Sequence, residues 1–142
     1  MKAVLDTNVL VSGMINPVGA PGRLVDMVRA GVLRLVVDDR VPREYADVLR
    51  RPMLRSYFSL ADAEAILDFL RHGAEPALAT VCVSGLPDPD DAPFLEVALA
   101  SGVPLITGNT RHFPLNRRAG CTVLTAAEFV AQYCQADATP VP

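Results

Sequence analysis

Lys2-Ala3-Val4-Leu5-Asp6-Thr7-Asn8-Val9-Leu10 decides the reading of the fold. Ala3, Val4 and Leu5 form an unbroken apolar run that stops at an aspartate. A run this short and this continuous fits a strand buried on both faces, because a half-exposed strand alternates apolar and polar residues. The polar Asp6-Thr7-Asn8 behind it is expected to be a turn. The same grammar recurs along the chain. Residues 33–37 form a second strand closed by Asp38-Asp39, and residues 80–83, 104–107 and 121–124 supply three more.

Helical patterns lie between these runs. Residues 21–30 place Leu24, Val25 and Val28 on one side, with Gly31 as the C-terminal cap. Residues 42–51 start on a proline and stop at Pro52. In residues 59–72, Ser59 and Asp62 make a capping box, and Ile66, Leu67 and Leu70 supply an apolar stripe. Residues 91–101 turn Phe94, Leu95, Ala98 and Leu99 inward and end at Gly102. Thr125 and Glu128 cap a last helix with Phe129 and Val130. Short apolar strands alternating with helices predict an α/β fold, with a central parallel sheet and helices on both faces. One domain is expected over residues 1–135, followed by a loose tail over 136–142.

Bulk properties narrow the function. Of the 142 residues, 51% are apolar, enough for a core, and mean hydropathy is +0.28. No apolar run approaches the roughly 20 residues that span a bilayer. Asp6 interrupts the first apolar run too early for a signal peptide, so a soluble, cytoplasmic protein is expected. The net charge of −3 excludes a generally basic nucleic-acid coat but leaves room for a local arginine rim around an acidic pocket. Cys82, Cys121 and Cys134 follow no metal or disulfide pattern and are expected as small buried hydrophobes.

The carboxylates fall at informative places. Asp6 ends the first strand, and Glu44 sits early in the helix after the second. Asp88, Asp90 and Asp91 crowd the start of the helix at 91–101, and Thr107-Gly108-Asn109 ends the next strand. In a parallel sheet these positions share the carboxyl edge, where ligands bind. Taken singly, each has an ordinary reading: Asp6 and Asn109 as turn residues, Glu44 as a first-turn acid, Asp91 as an N-cap, Asp88 and Asp90 as turn acids. Taken together they repel one another, and hard divalent cations with oxygen ligands, Mg²⁺ or Mn²⁺, relieve that repulsion best.

Four segments resemble the PIN-domain family, and within it the VapC-like toxin components. They are Val4-Leu5-Asp6-Thr7-Asn8-Val9-Leu10-Val11-Ser12-Gly13, the run from Val41 to Pro52 around Glu44, Asp88-Pro89-Asp90-Asp91 with Phe94-Leu95-Glu96-Val97-Ala98, and Leu105-Ile106-Thr107-Gly108-Asn109-Thr110-Arg111-His112-Phe113. The resemblance implies an α/β/α sandwich and metal-dependent cleavage of RNA, with a homodimer and an antitoxin protein as expected partners. By motif position Asp6, Glu44 and Asp91 carry the three core acids, and Asp88 matches an additional metal-side acid. Many relatives place an aspartate at position 109 or 112, where this chain has Asn109 and His112.

Phosphodiester cleavage needs an activated water, a neutralised phosphate and a stabilised leaving oxygen, which bound divalent metal supplies. Asp6 and Asp91 are expected on the principal cation, Glu44 on its water, and Asn109 with the Thr107 hydroxyl behind them. Arg40, Arg43, Arg50, Arg51, Arg111, Arg117 and Arg118 are the arginines expected to meet phosphate. Two alternatives stand beside this reading. One is a PIN fold that binds RNA or protein without cutting, supported by the missing fourth acid. The other is a phosphatase with strand-end aspartates, which position 8 disfavours because its common Asp-x-Asp pattern meets an asparagine there.

Overall fold

A computed structural model describes residues 1–137, with side chains through Tyr133. Five strands, β1 (Lys2–Leu5), β2 (Arg34–Val37), β3 (Glu75–Pro76), β4 (Leu105–Ile106) and β5 (Val123–Leu124), form one parallel sheet in the order β3-β2-β1-β4-β5. Six helices, α1 (Thr7–Ile15), α2 (Ala20–Arg29), α3 (Arg40–Leu49), α4 (Leu60–Gly73), α5 (Ala92–Ser101) and α6 (Ala126–Asp137), complete an α/β/α sandwich. The core runs along the sheet. Ala3, Val4 and Leu5, Leu35 and Val36, and Leu105 and Ile106 are all 1% exposed or less, which is why these strands read as unbroken apolar runs rather than alternating ones.

Strand order matters more than strand count. The chain leaves β1 for β2 and β3 on one side, then crosses back to place β4 and β5 on the other. The order therefore reverses between β1 and β4, and such a switch point opens a crevice beyond the carboxyl ends of the two strands. Pairing of Val4 with Leu105 and Leu5 with Ile106 sets the register. The Asp6 amide donates to the Ile106 carbonyl at 2.9 Å, so Asp6 and Thr107 emerge side by side at that crevice.

Most expected elements are present, with two corrections. The expected turn after β1 is the start of α1: Asp6 keeps extended backbone at the N-cap and the helix begins at Thr7. A methyl at Gly13 would sit 2.6 Å from the Pro21 carbonyl oxygen, so glycine lets α1 approach α2. The expected strand at 80–83 is unpaired extended chain, and the third strand lies earlier, at Glu75–Pro76. Pro76 is tolerated there because β3 is an edge strand with one open side. The caps behave as read. Ser59 Oγ accepts from the Asp62 amide, Thr125 and Glu128 bond reciprocally, and Gly102 adopts φ 66° beyond α5. Helix α6 continues through Asp137, into the expected tail, whose remaining residues 138–142 lie outside the described residues.

One smaller expectation changes. Cys82 is exposed and Cys121 only partly buried, both free thiols, and the Cys134 side chain lies outside the described residues. Among the described residues no helix is long and apolar enough to cross a membrane.

Candidate functional site

Asp6 is 5% exposed and Thr107 wholly buried, and the Thr107 hydroxyl donates to Asp6 Oδ2 at 2.8 Å. The same hydroxyl accepts the Asn109 amide at 3.1 Å, so β4 and the loop behind it hold the Asp6 carboxylate. Across the loop, Asn8 Oδ1 accepts the Gly108 amide at 3.1 Å and ties the start of α1 to the end of β4. Glu44 comes from the second turn of α3, and the Thr7 hydroxyl donates to its Oε2. Tyr45, beside it, is 1% exposed and donates its hydroxyl to the Leu5 carbonyl, one residue before Asp6. The backbone that carries Asp6 is thus braced from two elements. Sequence reading passed over both Thr7 and Tyr45, although Thr7 lies in the opening motif and Tyr45 directly follows Glu44.

Asp91 reaches the same region from the opposite side. A short 3₁₀ turn, Pro89–Asp91, leads into α5, and Asp88 Oδ1 accepts the Asp90 amide at 3.0 Å to shape it. Asp91 is 9% exposed. Its Oδ2 is shielded from solvent and makes no hydrogen bond, although His112 Nδ1 lies 2.9 Å away. The separation is that of an ion pair, and it falls outside hydrogen-bond geometry.

The electrostatics bind these acids into one site. Burial raises the Asp6 carboxyl above its ordinary range; the Thr107 hydroxyl offsets part of this, and the Asp91 charge raises it further. Burial also raises Glu44, against the Thr7 hydroxyl, with Asp6 and Asp90 adding repulsion. Asp91 is raised mainly by burial and is relieved by His112, with Asp88 and Glu44 opposing. The Tyr45 phenol is held well above its usual range by burial and by the Asp6 and Glu44 charges, so it stays neutral and keeps donating.

The close grouping differs in membership from the expected one. Asp88, Asp91 and His112 each bring one ligand atom to within 4.8 Å of the others. Asp6 and Glu44 stand outside that tight trio and meet Asp91 through charge. Asn109 contributes its backbone N–H to Thr107; its side chain makes no hydrogen bond among the described residues. The donor set suits a divalent cation, since oxygen ligands predominate and Asp91 Oδ2 is buried without a donor.

The expected arginine rim shrinks. Arg40 is committed to Asp38 and Glu96, Arg50 to Glu64, Arg51 to Asp47, and Arg118 to the Phe113 carbonyl. The Arg117 guanidinium packs over Gly85. Arg43 and Arg111 are exposed and carry no partner among the described residues.

This fold, with acids gathered at the β1–β4 switch point, is that of a PIN domain, and the family model for the PIN domain matches residues 2–111. The chain belongs to the PIN-domain family, whose members are generally nucleases. The uncharacterized protein MJ1680 of Methanocaldococcus jannaschii is 32% identical over 117 residues, covering 77% of this chain and 71% of that protein. Among solved structures, VapBC2 from Rickettsia felis, bound to a DNA fragment from its promoter, superposes with a TM-score of 0.54 at 13% identity. The match covers 88% of this chain and 98% of that one. At that identity the likeness speaks for the fold.

Proposed function

We infer that the protein is a Mg²⁺- or Mn²⁺-dependent endoribonuclease. The observation that carries this reading is the convergence of Asp6, Glu44 and Asp91 at the switch point: burial raises all three carboxyls, no arginine or lysine offsets it at Asp6 or Asp91, and at Glu44 the Arg51 charge is the least of the influences. Acids held together against burial and mutual repulsion suit a site made for a cation. Asp91 and Asp88, with Asp6 and Glu44 facing them, are the acids that would hold it. A divalent ion there supplies charge neutralisation for the scissile phosphate and lowers the pKa of water.

The chain's own groups do the rest. Thr107 and Thr7 fix the carboxylates of Asp6 and Glu44, so that their orientation is set before substrate arrives. Arg43 and Arg111, without partners among the described residues, are suited to the RNA backbone. The fold shared with VapBC2 and the opening-strand motif support the further reading of a toxin controlled by an antitoxin protein. A homodimer is the expected assembly. The α4 stripe of Ile66, Leu67 and Leu70 is spent on the core, leaving Met53, Tyr57 and Leu60 as exposed apolar residues for protein contact.

One experiment separates nuclease from binder. Wild-type protein with Mn²⁺ is expected to cut single-stranded RNA, EDTA to stop it, and Asp6→Asn and Asp91→Asn each to lower the rate by about a hundredfold or more while circular dichroism stays native. If the wild type binds RNA by filter retention yet never cuts it across varied substrates and both metals, the non-catalytic binder replaces this reading.

A further inference from the structure

His112 arrives at the acids by construction. After β4 the chain makes a 3₁₀ turn, Thr110–His112, in which the His112 amide donates to the Asn109 carbonyl at 3.2 Å. The next residue, Phe113, is wholly buried, and its carbonyl accepts Arg118 Nε at 2.6 Å. The imidazole is therefore anchored from behind and left 39% exposed in front, with Nδ1 2.9 Å from the orphaned Asp91 Oδ2.

That separation is informative. The two atoms stand at ion-pair distance, yet the contact falls outside hydrogen-bond geometry and the shielded Asp91 Oδ2 keeps a lone pair for a further partner. Neighbouring ligands of an octahedral cation at about 2.1 Å stand about 3.0 Å apart with both lone pairs turned toward the ion rather than toward each other. Asp91 and His112 have that spacing, and Asp88 completes a trio within 4.8 Å.

Resting on the metal-site reading above, we propose that His112 is a direct nitrogen ligand of the cation, with Asp91 and Asp88, and that it makes the site select Mn²⁺ over Mg²⁺. Mg²⁺ demands oxygen donors, whereas first-row transition ions accept imidazole readily and bind more tightly along the series. One neutral nitrogen in place of an acid also lowers the charge of the site, which weakens the hard ion more than the softer one.

The test reads binding and spectroscopy rather than turnover. Calorimetry with Mn²⁺ and with Mg²⁺ is expected to show His112→Ala losing about tenfold to a hundredfold in Mn²⁺ affinity and less than about threefold in Mg²⁺ affinity. His112→Asp is expected to narrow the Mn²⁺/Mg²⁺ ratio by raising Mg²⁺ affinity. Electron spin-echo modulation of Mn²⁺ bound to the wild type should carry an imidazole ¹⁴N signal. The chain has two histidines, so His72→Ala should keep that signal and His112→Ala lose it. Equal losses for the two metals, a wild-type spectrum without nitrogen, or no Mn²⁺ binding at millimolar concentration overturns the assignment. The wild-type spectrum decides even if the alanine variant misfolds. RNA cleavage without a nitrogen signal would leave the nuclease reading standing and remove this one; a nitrogen signal without cleavage does the reverse.

Discussion

Asp38 and Glu96 close around one arginine; Asp6, Glu44 and Asp91 meet hydroxyls and an imidazole instead. In the first group Asp38 accepts the Arg40 and Val41 amides at 2.9 and 3.2 Å and pairs with the Arg40 guanidinium at 2.7 Å. Glu96 takes another Arg40 nitrogen at 2.8 Å, and its second oxygen takes the Val83 amide at 2.8 Å. Every guanidinium nitrogen is engaged, and the hydrogen bond to Glu96 leads the interactions that hold Arg40 charged. In the second group all three carboxyls are pushed up, burial being the first cause in each. Both groups put buried acids at one end of the same sheet. One is neutralised from within the chain and pins the 77–86 segment through Val83; the other is left to be neutralised from outside. The contrast marks Arg40 as architecture rather than a phosphate contact, although it lines the same cavity of about 250 Å³ as Glu44 and Asp90.

The largest expected effect breaks the closed group. Arg40→Ala leaves two buried carboxylates without their cation and should destabilise the protein by about 2–3 kcal/mol. That is below the ~3–5 kcal/mol of fully buried pairs because the Arg40 side chain is 42% exposed and water can enter. Urea denaturation measures it. A loss below about 1 kcal/mol would place Arg40 with the ordinary surface pairs and end the distinction drawn here.

A middle effect tests the open group's scaffold. Thr107→Val keeps volume but removes a hydroxyl that donates to Asp6 and accepts from Asn109. One amide and one carboxylate lose a buried partner, and about 1–2 kcal/mol should go. Melting in EDTA reads it, and an unchanged midpoint would mean that water replaces the hydroxyl at no cost.

The same contrast explains what could be read from sequence. Positions of Asp6, Glu44 and Asp91 were legible because each follows a strand or opens a helix, and a parallel sheet sends all such places to one edge. The neutral partners were not legible. Nothing in the letters says that the Thr7 hydroxyl turns to Glu44, or that Arg40 rather than Arg43 is consumed internally, since both choices depend on helix rotation against the sheet. Helix α1 was misread as a turn because Asp6-Thr7-Asn8 is as good a cap as it is a turn. The third strand was misplaced because Thr80-Val81-Cys82-Val83 has the β-branched composition of a strand. The edge pairing goes instead to Glu75–Pro76, where the Ala77 amide donates to the Val37 carbonyl at 2.8 Å, and Val83 spends its amide on Glu96.

The smallest effect has the opposite sign. The Asp6 carboxyl is raised above its ordinary 3.8 by burial first, with the Asp91 charge adding to it. A carboxyl with a folded pKa above its unfolded one holds its proton better in the folded chain. Its contribution to stability is therefore greatest below 3.8, declines as pH rises through the raised value, and is level above it. Asp6→Asn removes that cost while still offering an oxygen to the Thr107 hydroxyl, so at neutral pH in EDTA the variant should be more stable than wild type by about 1 kcal/mol. Exposed acids such as Glu64 and Glu75, lowered by hydrogen bonds from Arg50 and Lys2, act the other way but are common to both chains. Subtracting the two stability–pH curves cancels them. The difference should vanish near the unfolded carboxylate range, grow as pH rises through the raised value and then stay flat. A difference that is constant with pH, or one that favours the wild type at neutral pH without metal, would show that Asp6 is as well neutralised as Asp38 and that the two groups are not different in kind.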